Sequence, residues 1–296
     1  MKRQTKRRVE ALATVIATLI LSNASCRRGS KTEEAVPSAR DHEQAQVAEI
    51  QDEKAPILGL TVNTADEADT YPGWPVLVEL ELYHPKLYTD QAVQPLVISG
   101  RGDSWTEAIV LSVEDQAGRT KKLPFKLAPI REEALTLDTK TTRTMRWWLP
   151  GDDTRSIGEG DYRIVATLDT GGVKKPGIWL GRVASKPAVL HFRKEPAALD
   201  EKQAETKQLL LAAWARDSGD SARAMEHIDA LLKDQPESLQ GLAVKAGLLE
   251  KAGDKKGAMK TYEKAIIIFN RKYPKSDPPE ELWDKYNRLI DELTKK

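Results

Sequence analysis

Two stretches near the C-terminus align at one fixed spacing: SGDSARAMEHIDALLKDQP (residues 218–236) and AGDKKGAMKTYEKAIIIFN (residues 252–270). Every matched position is separated by 34 residues. The matched pairs are Gly219 and Gly253, Asp220 and Asp254, Ala224 and Ala258, Ile228 and Tyr262, and, upstream, Ala212 and Ala246. Because a fixed period means that one structural unit recurs, this part of the chain is predicted to stack repeated units on each other.

The residue types at the matched positions predict paired helices. Glycine adopts the left-handed conformation that closes a helix, and the aspartate after it caps the next helix. Alanines let paired helices approach closely, and Pro236 ends the first unit. The predicted helices are 199–217, 220–234, 238–252, 254–272 and 279–294, the last of them capping the stack.

The 34-residue period, with Gly-Asp and Ala-Met at the same places in both units, resembles the tetratricopeptide repeat family. The resemblance implies a groove, lined by the first helix of each pair, that binds peptides or protein segments. The corresponding positions are Thr206, Leu209, Ala213, Arg216 and Asp217, then Gln240, Ala243, Gly247, Glu250 and Lys251. The alternative is an assembly surface without a peptide groove.

Two units fall below the roughly three that usually stabilise such a stack. We therefore expect the missing contact surface to come from the capping helix, from the preceding part of the chain or from a second copy of the protein.

Residues 56–194 show short stretches in which apolar residues alternate with polar ones. Val76, Val78, Leu80 and Leu82 share one face of a predicted strand. Gly160-Asp161-Tyr162 resembles the entry to a late strand of immunoglobulin-like domains, with Tyr162 as the corner tyrosine. The predicted fold class is multidomain β + α: an antiparallel immunoglobulin-like β-sandwich at 56–194, followed by a short tetratricopeptide-like helical array at 199–296.

Two adjacent tryptophans, Trp147 and Trp148, lie on a predicted strand, where neighbouring side chains point to opposite faces. If Trp147 faces the core, Trp148 points outward with Arg146. A surface tryptophan is a candidate contact for a protein partner or a glycan. The alternative is that a loop or the helical domain covers Trp148.

The N-terminus has the features of an export signal. A basic octet, MKRQTKRR, precedes the uncharged residues 11–21, which are too few to cross a bilayer. Ala24-Ser25-Cys26 resembles the end of a bacterial lipoprotein signal, which implies acylation of Cys26, the chain's one cysteine. The predictions are a signal peptide at 1–25, a disordered tether at 26–55, and an outer-membrane anchor facing the periplasm. The alternative is a soluble periplasmic or secreted protein.

Composition and motifs give no sign of catalysis. The formal net charge is +1, which predicts no nucleic-acid partner. The histidines are far apart in sequence, and no motif of a metalloprotease, serine hydrolase or nucleotide-binding enzyme occurs. We expect no cofactor and no metal, with the acidic loop 151–161 as an alternative calcium site.

The sequence thus predicts a non-catalytic envelope lipoprotein that acts as a protein–protein interaction scaffold or assembly factor. Its expected partner is another envelope protein or a peptide segment, and homo-oligomers are a further possibility. One alternative is binding of glycan or peptidoglycan through the β-sandwich. A second is a hydrolase with an unrecognised carboxylate site.

Overall fold

The computed structural model of the chain describes residues 55–295, except for 88, 90–92, 129 and 131. The predicted signal peptide, Cys26 and most of the predicted tether lie outside the described residues. Strands occupy the first part of the described chain and helices the second, so the β-then-α order agrees with the prediction.

The strands of the described residues form three separate sheets. Their bounds are β1 Ile57–Val62, β2 Glu67–Thr70, β3 Val76–Tyr83, β4 Leu96–Ser99, β5 Ile109–Asp115, β6 Lys126–Leu127, β7 Ala134–Leu137, β8 Thr142–Leu149, β9 Gly160–Asp169, β10 Arg182–Ala184 and β11 Ala188–Phe192. The first sheet has the order β1-β3-β8-β6, and every pair in it is antiparallel. The second has the order β10-β9-β11-β2, with β5 also paired to β9, and β4 pairs only with β7 in the third.

The predicted immunoglobulin-like sandwich is wrong, because these strands do not form one closed antiparallel sandwich. Strand β2 runs parallel to β11, which makes the second sheet mixed. Strands β4 and β7 leave both larger sheets and pair with each other. The tyrosine that suggested the resemblance has a local role, since the Tyr162 hydroxyl donates to the carbonyl of Gly158, 3.2 Å away, and closes a turn.

The period-two pattern is confirmed by burial along β3, where Val76, Val78, Leu80 and Leu82 are fully buried. One hydrophobic core collects side chains from the first and second sheets and from the β4–β7 pair. Alternating apolar residues thus gave the buried face of a strand correctly, whereas they carried no information about its partner strand.

The helices are α1 Gly151–Thr154, α2 Glu201–Asp217, α3 Ser221–Asp234, α4 Leu239–Lys251, α5 Lys255–Lys272 and α6 Glu280–Thr294. The helices α2 to α6 each begin one or two residues later than the sequence predicts. Each of them packs on the next in chain order. Among the described residues, none of the helices has the length and apolarity needed to cross a membrane.

The repeated residues occupy equivalent structural positions. Gly219 and Gly253 have φ angles of +88° and +87°, as left-handed residues that close helices. The carboxylates of Asp220 and Asp254 accept from backbone amides in the first turn of α3 and α5. The paired alanines are buried, and so are Ile228 and Tyr262 between the helices. The spacing argument for helix ends and helix contacts is therefore confirmed, while membership of the repeat family stays a prediction.

A close backbone approach makes one glycine of the strand-rich part hard to replace. A Cβ atom on Gly151 would lie 2.4 Å from the carbonyl oxygen of Gly73. We expect Gly151→Ala to lower the free energy of unfolding by about 1–3 kcal/mol, because backbone atoms must shift. Gly158→Ala is the matched control, since no atom lies within 4 Å of its added Cβ. Urea unfolding followed by tryptophan fluorescence measures both, and equal stabilities of the two variants would contradict the prediction.

Candidate functional site

Trp148 is 1% exposed, so its prediction as a surface contact residue is wrong, and the alternative, that the helical domain covers it, is confirmed. Its side chain does point away from the main core, which holds Trp147, as the strand alternation predicts. Helix α2 lies over that end of the first sheet and covers it. The junction cluster, as we name this contact, consists of Tyr71, Trp74, Leu77, Trp148 and Leu210, with Leu199, Ala213 and Trp214 packed against them.

The buried indole of Trp148 has partners on α2. Its Nε1 donates to Oδ2 of Asp217 at 3.1 Å, and its ring centroid lies 5.7 Å from that of Trp214. The other carboxylate oxygen of Asp217 accepts from Nε of Arg216 at 2.9 Å. A buried indole N–H without an acceptor destabilises the fold, so these bonds are part of the reason that α2 lies where it does.

A second set of hydrogen bonds, centred on Glu195, lies at the other end of the junction. Glu195 accepts from Nζ of Lys207 at 2.9 Å and from Nε1 of Trp74 at 3.0 Å. The Lys207 ammonium and then the Trp74 indole hold the pKa of Glu195 below its ordinary value. Nε2 of Gln203 donates to the Tyr71 hydroxyl at 2.9 Å. Polar and apolar contacts therefore fasten α2 to the strand-rich part of the chain from Gln203 to Asp217.

The junction uses a face of α2 that the sequence analysis did not identify as a contact with the strands, although it placed Ala213 and Asp217 in the predicted peptide groove. Its residues recur at helical spacing: Gln203, Lys207, Leu210, Trp214 and Asp217. The face mixes charged, amide and aromatic side chains, so it lacks the apolar stripe that marks a buried helix face. The large aromatic side chain of Trp214 is the one feature of the sequence that indicated a buried contact on this face. The contact supplies part of the surface that two repeats alone lack.

We expect Trp148→Ala to lower the free energy of unfolding by about 3–5 kcal/mol, the usual cost of emptying a large buried aromatic site. Because Trp148 joins helix to sheet, helical circular dichroism and tryptophan fluorescence should then report different unfolding midpoints. Trp283→Ala, which changes a half-buried tryptophan in α6, should keep the two midpoints together. A Trp148→Ala protein as stable as the wild type would mean that Trp148 is a surface residue after all.

The residues predicted to line a groove are mostly engaged within the fold. Leu209 is buried against α3, and Ala213 packs on the junction cluster. Arg216 binds Asp217, while Glu250 accepts from Nη2 of Arg288 in α6 at 2.6 Å. Gln240 is half-buried on α4 and Lys251 is exposed at its end. Arg146, the other predicted contact on the sheet, pairs with Glu79 at 2.7 Å.

A cavity that the sequence analysis did not anticipate lies on the outward face of α5. We name it the α5 groove. Its volume is about 340 Å³, and its lining residues are Pro236, Glu237, Lys260, Glu263, Lys264, Ile267, Ile268 and Arg271. Ile267 is 61% exposed, whereas Ile266 and Ile268 on either side are each 5% exposed. The run of three isoleucines was the available signal, because consecutive helical residues differ by about 100° and cannot all face one side.

A polar cluster lies across the second sheet, where His191 of β11 bridges two carboxylates. Its Nδ1 lies 2.7 Å from Oδ1 of Asp161 and its Nε2 2.5 Å from Oε1 of Glu67. Arg193 Nη1 also lies 2.7 Å from Oδ1 of Asp161. Burial lowers the pKa of His191, but its hydrogen bonds to the carboxylates of Asp161 and Glu67 outweigh burial, and the net pKa is raised. His191, then Arg193 and Gln116, lower the pKa of Asp161.

This cluster predicts a pH dependence of stability. The pKa of His191 is raised on folding, so the protonated side chain adds to the free energy of unfolding. This contribution is complete below about pH 6.5, the ordinary histidine value, and is lost as the pH rises through the raised pKa. We expect His191→Gln to remove this loss of stability, as measured by thermal unfolding across that pH range. His227→Gln is the control, because burial lowers the pKa of His227 and its contribution has the opposite sign. An unchanged pH profile in His191→Gln would exclude this role.

Among residues 55–295 as described, no group of three or more His, Cys, Asp and Glu side chains is placed to hold a metal ion. In the acidic loop 151–161, Asp161 is already bound by His191, Arg193 and Gln116. The carboxylate of Asp161 is therefore already bound by side chains of the fold itself.

Comparisons with known proteins reveal little similarity. Neither a protein-family model nor a curated protein sequence matches the chain. A partly similar solved structure is a family 123 glycoside hydrolase from Clostridium perfringens, described for glycolipid glycan hydrolysis. The TM-score is 0.24 at 8% identity, and the match covers 51% of this chain and 29% of that chain. The chain thus spans less than a third of that protein, and a likeness of this size supports no conclusion about activity.

Proposed function

We propose that the protein is a non-catalytic interaction scaffold of the cell envelope, whose helical region binds a segment of another protein. The observation that carries the proposal is the α5 groove, where an exposed isoleucine lies at a cavity on a paired-helix array. The cavity beside Ile267 is also lined by Pro236 and Ile268 and is bordered by charged side chains, an arrangement that fits a binding pocket. The resemblance of the 34-residue repeats to tetratricopeptide units, which bind protein segments, supports the same function.

The junction cluster supports a scaffold in a second way. Because α2 is fastened to the first sheet by aromatic packing and by hydrogen bonds to Asp217 and Glu195, the helical region has a fixed base. A scaffold that presents its partner in one orientation needs such a base, since a flexible link would let the partner reorient.

The envelope location rests on the sequence before residue 55. The basic octet, the apolar residues 11–21 and Cys26 favour export and acylation, followed by a tether to the folded part. Attachment would keep the helical region near the membrane and raise the local concentration of a partner on the same surface. The alternative of glycan binding through Trp148 loses its contact residue, because that side chain is buried under α2.

Crosslinking in cells of the native organism tests the scaffold function. We expect the full-length protein to capture the same envelope protein, in a constant ratio, in repeated pull-downs identified by mass spectrometry. A Cys26→Ala variant should leave the membrane fraction, since it lacks the acylation site, and should still capture that partner in a detergent-free extract.

The control is the wild-type protein without crosslinker, which reports carry-over through the pull-down. Recovery of only self-crosslinked protein or of cell-wall fragments would contradict the scaffold function. Membrane attachment of Cys26→Ala equal to that of the wild type would contradict the lipid anchor and leave the scaffold function to the crosslinking result.

A further inference from the structure

The α5 groove has a regular arrangement of side chains along one helix. Lys260, Lys264, Ile267 and Arg271 follow one another at steps of four, three and four residues, which places them in one row on the helix surface. Pro236 and Glu237, from the segment between α3 and α4, form the opposite wall. The row on α5 and the segment opposite it form an elongated site, whose shape suits a stretch of polypeptide.

The middle of the row is apolar. A single exposed isoleucine is ordinary on a protein surface, but Ile267 adjoins a cavity that Pro236 and Ile268 also line. The volume, about 340 Å³, is at the lower end of the roughly 300–1,000 Å³ range of ligand pockets. The site therefore has room for an inserted aliphatic side chain next to Ile267, which would bury apolar surface that now faces water.

The charge on the row is partly unbalanced. Arg271 is paired with Glu237, and Nζ of Lys272 donates to the Glu237 carbonyl at 3.2 Å. Within the described residues neither Lys260 nor Lys264 has an acidic partner. Two ammonium groups without an ion-pair partner therefore flank the apolar middle on one side, and electrostatic complementarity favours carboxylates in the occupant. The carboxylates of Glu237 and Glu263 in the same lining oppose a uniformly anionic surface such as nucleic acid or a membrane.

From this arrangement we infer that the α5 groove binds an acidic segment of a partner protein that inserts one aliphatic side chain beside Ile267 and places carboxylates against Lys260 and Lys264. The inference rests on the proposed scaffold function and names the chemistry of its partner. It differs from the site that the repeat resemblance implies, because that site lies on the first helices, α2 and α4, whereas α5 is a second helix.

Fluorescence anisotropy with the full chain tests the inference. The probe is a fluorescein-labelled synthetic peptide of about 12 residues, made only of glutamate and leucine with the leucines at i, i+3 and i+4 helical spacing. Two control probes replace every leucine with serine or every glutamate with lysine. We expect the acidic amphipathic probe to bind with a dissociation constant of roughly 10–100 μM, typical of a small transient contact, and both control probes to bind at least about tenfold more weakly.

Variants at exposed positions localise the binding without threatening the fold. Ile267→Ser and the double variant Lys260→Glu, Lys264→Glu should each weaken binding of the acidic amphipathic probe by roughly tenfold or more, the latter also reducing its salt dependence. Leu180→Ser is the matched apolar control, because Leu180 is 60% exposed in the strand-rich part. Lys256→Glu is the matched charge control on the same helix, outside the groove lining. Both controls should bind the probe as the wild type does.

Several results would overturn the inference. One is that the acidic amphipathic probe does not bind even at a protein concentration of about 1 mM. Another is that the groove variants and their control variants lose the same amount of probe affinity. Equal binding of the serine probe, with displacement by heparin, would assign the row to polyanions. A concentration-dependent rise in mass that Ile267→Ser removes would assign the groove to a second copy of the chain.

The two proposals fail separately. If cells yield a stoichiometric envelope partner that Ile267→Ser still captures, the scaffold function stands and the groove is not its site. If the probe binds as expected but cells yield no partner, the groove binds acidic segments and the scaffold function fails.

Discussion

The helical region depends on the contact between α2 and the outer end of the first sheet, where Trp148 packs with Leu77 and Trp214. Helix α2 packs on α3 and shares a cluster with Leu248 of α4, and within the described residues the repeats provide no helix before it. The first sheet takes that place. Burying the large aromatic side chains of the junction is worth several kcal/mol by the usual relation of about 25 cal/mol per Å² of apolar area. This contact supplies the neighbour that a short stack lacks.

Asp217 shows how strongly the junction constrains the sequence. A carboxylate in the last turn of a helix is disfavoured, because the helix dipole places negative partial charge there. Asp217 nevertheless occupies the last residue of α2, where it accepts from the Trp148 indole and from Arg216. The gain from satisfying a buried N–H and from pairing with Arg216 offsets the dipole cost. The residue is thus explained by the neighbouring sheet and not by its own helix.

The sequence was informative where the physics is local. Gly219 and Asp220 predicted a helix end and a cap because a left-handed residue and an amide acceptor act within one turn. Alternation along β3 predicted its buried face for a similar reason. Pairing is not local, and nothing in the residues of β2 signalled that it would run parallel to β11 far along the chain. Trp148 is the intermediate case, since alternation gave its direction correctly but could not say what would cover it.

The predicted groove on the first helices and the observed groove on α5 differ in what a partner must displace. On the first helices Arg216 already binds Asp217 and Glu250 already binds Arg288, so a charged partner must compete with ion pairs of the fold itself. On α5, neither Lys260 nor Lys264 has an acidic partner within the described part of the chain, and the exposed Ile267 gains from any contact that covers it. Binding at side chains without an ion-pair partner costs less than breaking an existing pair, because no protein charge is left uncompensated. This asymmetry favours α5 over the first helices as the contact surface, whatever family the repeats belong to.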